Sequence, residues 1–164
     1  DALSTCSEFS RCCKSVSNAS ILLKKVRIDA LDKDSLNILD GEHHKFCSIY
    51  FFENEMRRVE PGGTFTYFVN LKELALSYNK ISRLEADVFS GLVNLSTLNL
   101  ANMELEVLAS HIFRGLSKLK HLFLNNNGIR QIELDAFTGL SALTELRLFE
   151  NKLSRLEAFC FGQV

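Results

Sequence analysis

LKELALSYNKISRLEADVFSGLVN (71–94) is followed without a gap by LSTLNLANMELEVLASHIFRGLSK (95–118), LKHLFLNNNGIRQIELDAFTGLSA (119–142) and LTELRLFENKLSRLEAFCFGQV (143–164). Leucine opens each unit, and phenylalanine returns every 24 residues at Phe65, Phe89, Phe113, Phe137 and Phe161. A fixed period of this kind belongs to stacked copies of one small unit, not to a core closed on itself. Apolar residues fall at unit positions 1, 4, 6, 9 or 11, 14, 19 and 22. Steps of three and then two exclude a coiled-coil seam, which alternates three and four. Positions 4 and 6, such as Leu74 and Leu76, are two apart and so share one face of a strand. Ile81, Leu84, Phe89 and Leu92 fall on the return path to the next strand.

Working outward, Phe46, Ile49, Phe51, Asn54, Met56, Val59, Phe65 and Phe68 repeat the template in a degenerate copy. Before it, Leu23, Val26 and Ile28 read as one more strand, with an irregular return through Leu31, Leu36 and Leu39. The expected domains are an N-terminal cysteine cap at 1–22 and a solenoid at 23–164. Its coils run about 23–45, 46–70, 71–94, 95–118, 119–142 and 143–164. No coil can bury its apolar side alone. Each covered Leu or Phe contributes on the order of 1.5–3 kcal/mol only when a neighbour stacks on it.

The pattern resembles the leucine-rich repeat family in its 24-residue extracellular form. The resemblance implies an α/β solenoid: a horseshoe with a parallel concave sheet, an irregular or 3-10 convex side and a disulfide-bonded N-terminal cap. It also implies that Asn79, Asn127 and Asn151, at position 9, are buried and hydrogen-bond the backbone of their own and the neighbouring coil. The second unit has Met103 there, preceded by Asn102, so a local irregularity or shifted turn is expected. The stretch CSIYFFENEMRRVEPGGTFTYFVNLKELALSYNKI, with a paired-cysteine segment and KKVRI before it, resembles the front end of secreted insect proteins, including the mosquito leucine-rich immune proteins. Toll-like ectodomains share the 24-residue unit.

A net charge of −1 supplies no field for nucleic acid or anionic membrane, and no apolar run is long enough to span a bilayer. Four of the five cysteines, Cys6, Cys12, Cys13 and Cys47, lie in the first third of the chain. Adjacent Cys12 and Cys13 pair poorly with each other, which leaves Cys6–Cys12 with Cys13–Cys47, or Cys6–Cys13 with Cys12–Cys47. Four reduced thiols in a cytosolic protein are the alternative. Cys160 is odd: a half-buried free thiol, a cysteine whose partner lies elsewhere, or a link to another chain. The final coil ends at Val164 without a cap, so a longer protein or a dimer through Cys160 or the uncapped coil is expected. Asn18-Ala19-Ser20 and Asn94-Leu95-Ser96 are acceptors for N-linked glycans, placing Asn18 and Asn94 as glycosylation sites.

Residues between the strand leucines, at positions 3, 5, 7 and 8, are expected to face solvent and carry binding. Tyr50, Phe52, Tyr78, Asn99, His121, Phe123, Asn125, Arg147 and Phe149 are the candidate partner-binding residues. Core packing asks for no aromatics there, and aromatic and Arg anchors carry most interface energy. The competing reading is that Tyr50 and Phe52 lie under the 29–45 segment while Phe123 and Phe149 cover one another.

No catalytic residues, metal site or cofactor are expected. His43 and His44 lack further ligands at metal spacing, and Asp32, Asp34 and Asn37 lack the glycine and glutamate of a calcium loop. The expected function is a secreted, extracellular recognition module of innate immune defence. Its partner would be another protein: an immune or complement-like protein, a receptor or a ligand. An extracellular matrix or cell-surface adhesion scaffold is the rival.

Overall fold

The computed structural model describes residues 19–22, 30–32, 36 and 46–155. Among the described residues, ten short strands form in chain order: β1 (Ala19–Leu22), β2 (Ala30–Leu31), β3 (Phe46–Tyr50), β4 (Arg58–Val59), β5 (Glu73–Ala75), β6 (Thr97–Asn99), β7 (Val107–Leu108), β8 (His121–Phe123), β9 (Gln131–Ile132) and β10 (Glu145–Arg147). The main sheet has six strands in the order β1-β3-β5-β6-β8-β10; β2 pairs with β4 and β7 with β9. All pairs are parallel. Leu74, Leu98, Leu122 and Leu146 lie in register across four strands.

Backbone hydrogen bonds carry this stacking beyond the strand ends. Lys72 N–H donates to the Cys47 carbonyl, Ser96 to Lys72, Lys120 to Ser96 and Thr144 to Lys120, all at 2.7–2.9 Å. On the other side of each strand, Leu76 donates to Asn99, Leu100 to Phe123 and Leu124 to Arg147. Each coil thus lends its polar backbone to its neighbours and leaves its leucines to the interior.

The phenylalanines form a single file. Successive rings of Phe65, Phe89, Phe113 and Phe137 lie 6.0, 6.2 and 5.9 Å apart between centroids, the last two pairs inclined by only 5°. All four are buried, together with Leu71, Leu95 and Leu119. Phe161 lies outside the described residues, as do Leu23, Val26, Ile28, Leu39, His43, His44 and the cysteines other than Cys47. The first strand of the sheet is Ala19–Leu22, aligned with β3.

The expected α/β horseshoe with a 3-10 convex side is not what forms. Among the described residues there is no helix of any kind; the molecule is a mostly parallel β-solenoid whose return path is built from turns. The reason lies in the backbone. Asp87, His111 and Asp135 have φ of 57–60°, and Gly91, Gly115 and Gly139, four residues later, have φ of 88–99°. Three residues lie between the two left-handed positions, and no two consecutive i→i+3 bonds form across them. Isolated ones form instead, such as Ser90 to Asp87 and Leu92 to Phe89. Gly91 has a second constraint: a Cβ there would stand 2.7 Å from Thr66 Cα in the previous coil.

Met103 brings no shifted turn, contrary to the expectation. Asn102 keeps the left-handed φ of 55° found at Tyr78, Asn126 and Glu150. Met103 is buried in the slot an asparagine fills elsewhere, so the departure is one of hydrogen bonding and not of chain path.

Candidate functional site

Position 8 of each coil, at Glu53, Tyr78, Asn102, Asn126 and Glu150, has positive φ. This kink ends each strand and turns position 9 inward. There Asn79 donates to the Leu76 and Phe51 carbonyls at 2.8 Å, while its Oδ1 accepts from Met56 N–H at 3.2 Å. Asn127 and Asn151 do the same two and three coils on. The asparagines therefore hold rigid the edge of the sheet face on which the candidate residues stand.

That face is not uniformly open. Ala75, Ser77 and Ala101, at positions 5 and 7, are buried, which corrects the expectation that these positions all meet solvent. The Tyr50 hydroxyl reaches across to donate to Glu73 Oε2 on the neighbouring strand, and its ring stacks on Phe52 at 5.6 Å. Burial, with a contribution from the Glu73 hydrogen bond, pushes the Tyr50 phenol above its ordinary pKa. Ser77 Oγ is buried without a hydrogen-bond partner, a cost of this arrangement.

The C-terminal half of the face is different. Arg147 donates to Glu145 Oε1 through Nε at 2.7 Å and Nη2 at 2.6 Å. Its guanidinium carbon stands 4.6 Å from the centre of the Phe123 ring. His121 Nδ1 lies 3.1 Å from Glu145 Oε2, and its ring faces Phe123 at 6.4 Å. Register explains the grouping: β8 and β10 align Glu145 with His121 and Arg147 with Phe123. Arg147 chiefly, and His121 with it, hold the Glu145 carboxyl below the usual carboxylate range. Phe149 stands 57% exposed beside this cluster. Tyr78 is exposed farther back, and Asn99 caps Ala101 N–H with its own side chain. Asn125 donates to Asn126 Oδ1.

The structure thus joins His121, Phe123 and Arg147, and sets Tyr50 and Phe52 apart as a second, flattened pair. Sequence reasoning missed Glu73 and Glu145, the carboxylates that organise each group. Both sit at position 3, one strand on and two residues earlier in the unit than the Tyr50 and Phe123 rings, so the 24-residue period itself held the signal. Among the described residues, no group of three or more His, Cys, Asp or Glu side chains could hold a metal ion. No helix of the described residues is long and apolar enough to cross a membrane.

Comparison with known proteins agrees with this architecture. The family model described as Leucine rich repeat matches residues 54–105 and 94–153. No curated protein matches the chain. Among solved structures, the chain is similar to a Drosophila Toll–Spätzle complex in its glycosylated form, described as a hub in development and innate immunity. The TM-score is 0.70 and the identity 26%, with 80% of this chain and 17% of that one covered. A TLR13–ssRNA13 complex shares the fold, at a TM-score of 0.56 and 24% identity, with 87% of this chain and 25% of that one covered. The chain therefore spans a quarter or less of the length of these structures. The kinship is consistent with an extracellular, secreted domain.

Proposed function

The chain belongs to the leucine-rich repeat family, whose solenoids serve non-catalytic recognition, and on that premise we propose that the solvent side of its six-stranded sheet binds another protein. One observation carries this reading: Phe149 stands exposed beside an Arg147–Phe123 stack whose geometry is already fixed by Glu145. An aromatic anchor next to a preorganised arginine is the arrangement that dominates protein interfaces, because little side-chain freedom remains to be lost on binding. Tyr50 and Phe52, folded onto their neighbours, contribute shape at the far end of the face.

The role we assign is recognition in innate immune defence. It is supported by the likeness to a Toll–Spätzle complex described as a hub in development and innate immunity, and by the resemblance of the front end of the chain to secreted insect proteins. Single-stranded RNA, the companion of TLR13 in its structure, suits this face poorly. Arg147 is already neutralised by Glu145, and phosphate binding needs several uncommitted cations. Residues 1–22 serve as the cysteine cap in this reading, with Cys12 or Cys13 bonded to Cys47, which is half-buried in β3.

The test is affinity capture from native extracellular fluid, under non-reducing conditions, with wild-type and Phe123→Glu/Arg147→Glu chains. The partner should be retained by the first and lost by the second, with circular dichroism unchanged. Equal retention by both would remove the sheet face as the site. A matrix scaffold would retain partners through other surfaces and show that outcome.

A further inference from the structure

The penultimate position of each coil faces solvent on the flank where the chain turns toward its next strand. It is filled by Val69, Val93, Ser117 and Ser141 in successive coils. The two serines are ordinary exposed residues. The two valines are 43% and 51% exposed and stand one above the other, with Tyr67 exposed nearby. The apolar pair coincides with a sequon. Asn94 follows Val93 directly, its Nδ2 donates to the Val69 carbonyl at 2.8 Å, and its Oδ1 accepts from Lys118 Nζ at 2.6 Å. Where the flank turns to serine, no sequon accompanies it.

We infer that an N-linked glycan on Asn94 lies over the Val69–Val93 strip and closes this flank to protein contacts. The inference stands apart from the reading of the sheet face, since the two surfaces share no residue. The modification takes its oligosaccharide from a lipid-linked diphosphate donor. The bond from sugar C1 to the phosphate oxygen breaks, a C1–Nδ2 bond forms, and the amide gives up one proton as the lipid diphosphate leaves. One N–H remains on Nδ2, enough to keep the bond to the Val69 carbonyl. The first sugar then sits against the valine pair, its C–H faces covering apolar surface and its hydroxyls meeting water. A bulky, hydrated cover is what an exposed apolar strip needs to stay out of association.

Ser96→Ala tests this directly, because it destroys the sequon while leaving both Asn94 hydrogen bonds in place. Secreted from eukaryotic cells, this variant should lose the mass of one glycan relative to wild type. It should also bind more apolar dye and self-associate at lower concentration. Adding Val69→Ser and Val93→Ser should return both readouts to wild-type levels. A wild-type chain bare at Asn94, or a glycan loss that leaves dye binding and self-association unchanged, overturns the proposal.

Discussion

Asn127 donates from Nδ2 to the Leu100 carbonyl of the preceding coil at 2.8 Å, so one amide fastens two turns of the solenoid. The same side chain serves Leu124 O and Leu105 N–H. Asn127→Leu leaves these buried groups unpaired, at a cost of about 1–3 kcal/mol for each one that water cannot reach. Met103→Leu, at the equivalent position one coil earlier, removes no such bond and should cost less than about 1.5 kcal/mol. Urea unfolding of the two variants should separate them clearly.

The stacked rings predict a second effect. Phe113 touches spine neighbours on both sides, with centroids 6.2 and 5.9 Å away. Phe113→Ala should lower stability by about 3–5 kcal/mol, the range for aromatic truncation in a close-packed interior. Thermal unfolding followed by circular dichroism measures it.

Two glycines give a matched comparison. Gly91 and Gly115 both have positive φ, but a Cβ meets backbone within 2.7 Å only at Gly91; nothing lies within 4 Å at Gly115. Both Gly→Ala changes should carry the left-handed penalty of roughly 1–2 kcal/mol. Gly91→Ala should lose more, by the amount needed to push two coils apart. Equal losses in denaturant titrations would show that the coils yield freely there.

Acid should act through Glu145. Arg147 and His121 depress its folded-state pKa, so its contribution is complete above the unfolded carboxylate value and disappears as pH falls through the folded one. The stability advantage of wild type over Glu145→Gln should therefore be present at neutral pH and be lost in acid, as pH falls from the unfolded carboxylate value through the lowered folded one. Because the group is solvent-exposed, salt should shrink the difference at every pH.

Much of this architecture was legible in the chain. The 24-residue return of Phe65 to Phe137 set the spine, Leu74 and Leu76 set the strand face, and Asn79, Asn127 and Asn151 occupy the turn positions that the repeat assigns them. The return path was misjudged because its character is decided by paired left-handed positions, Asp87, His111 and Asp135 with Gly91, Gly115 and Gly139 four residues on. Asp and His favour a φ near 60° more than most residues do, but take it at only some of the positions they fill. The face was misjudged where a long side chain crosses strands: Tyr50 reaching to Glu73 buries what alternation alone would leave open. The His121–Glu145 contact depends on register between strands 24 residues apart, and so on trusting the period for pairs as well as for the core.

The regular alignment of β5, β6, β8 and β10 also bears on how such a chain could have arisen. Every contact class repeats at one interval, so a duplicated segment of that length slots between existing turns and finds ready-made mates above and below. Gene lengthening in whole multiples is thereby tolerated, whereas an insertion of any other size must be hidden in a bulging connection.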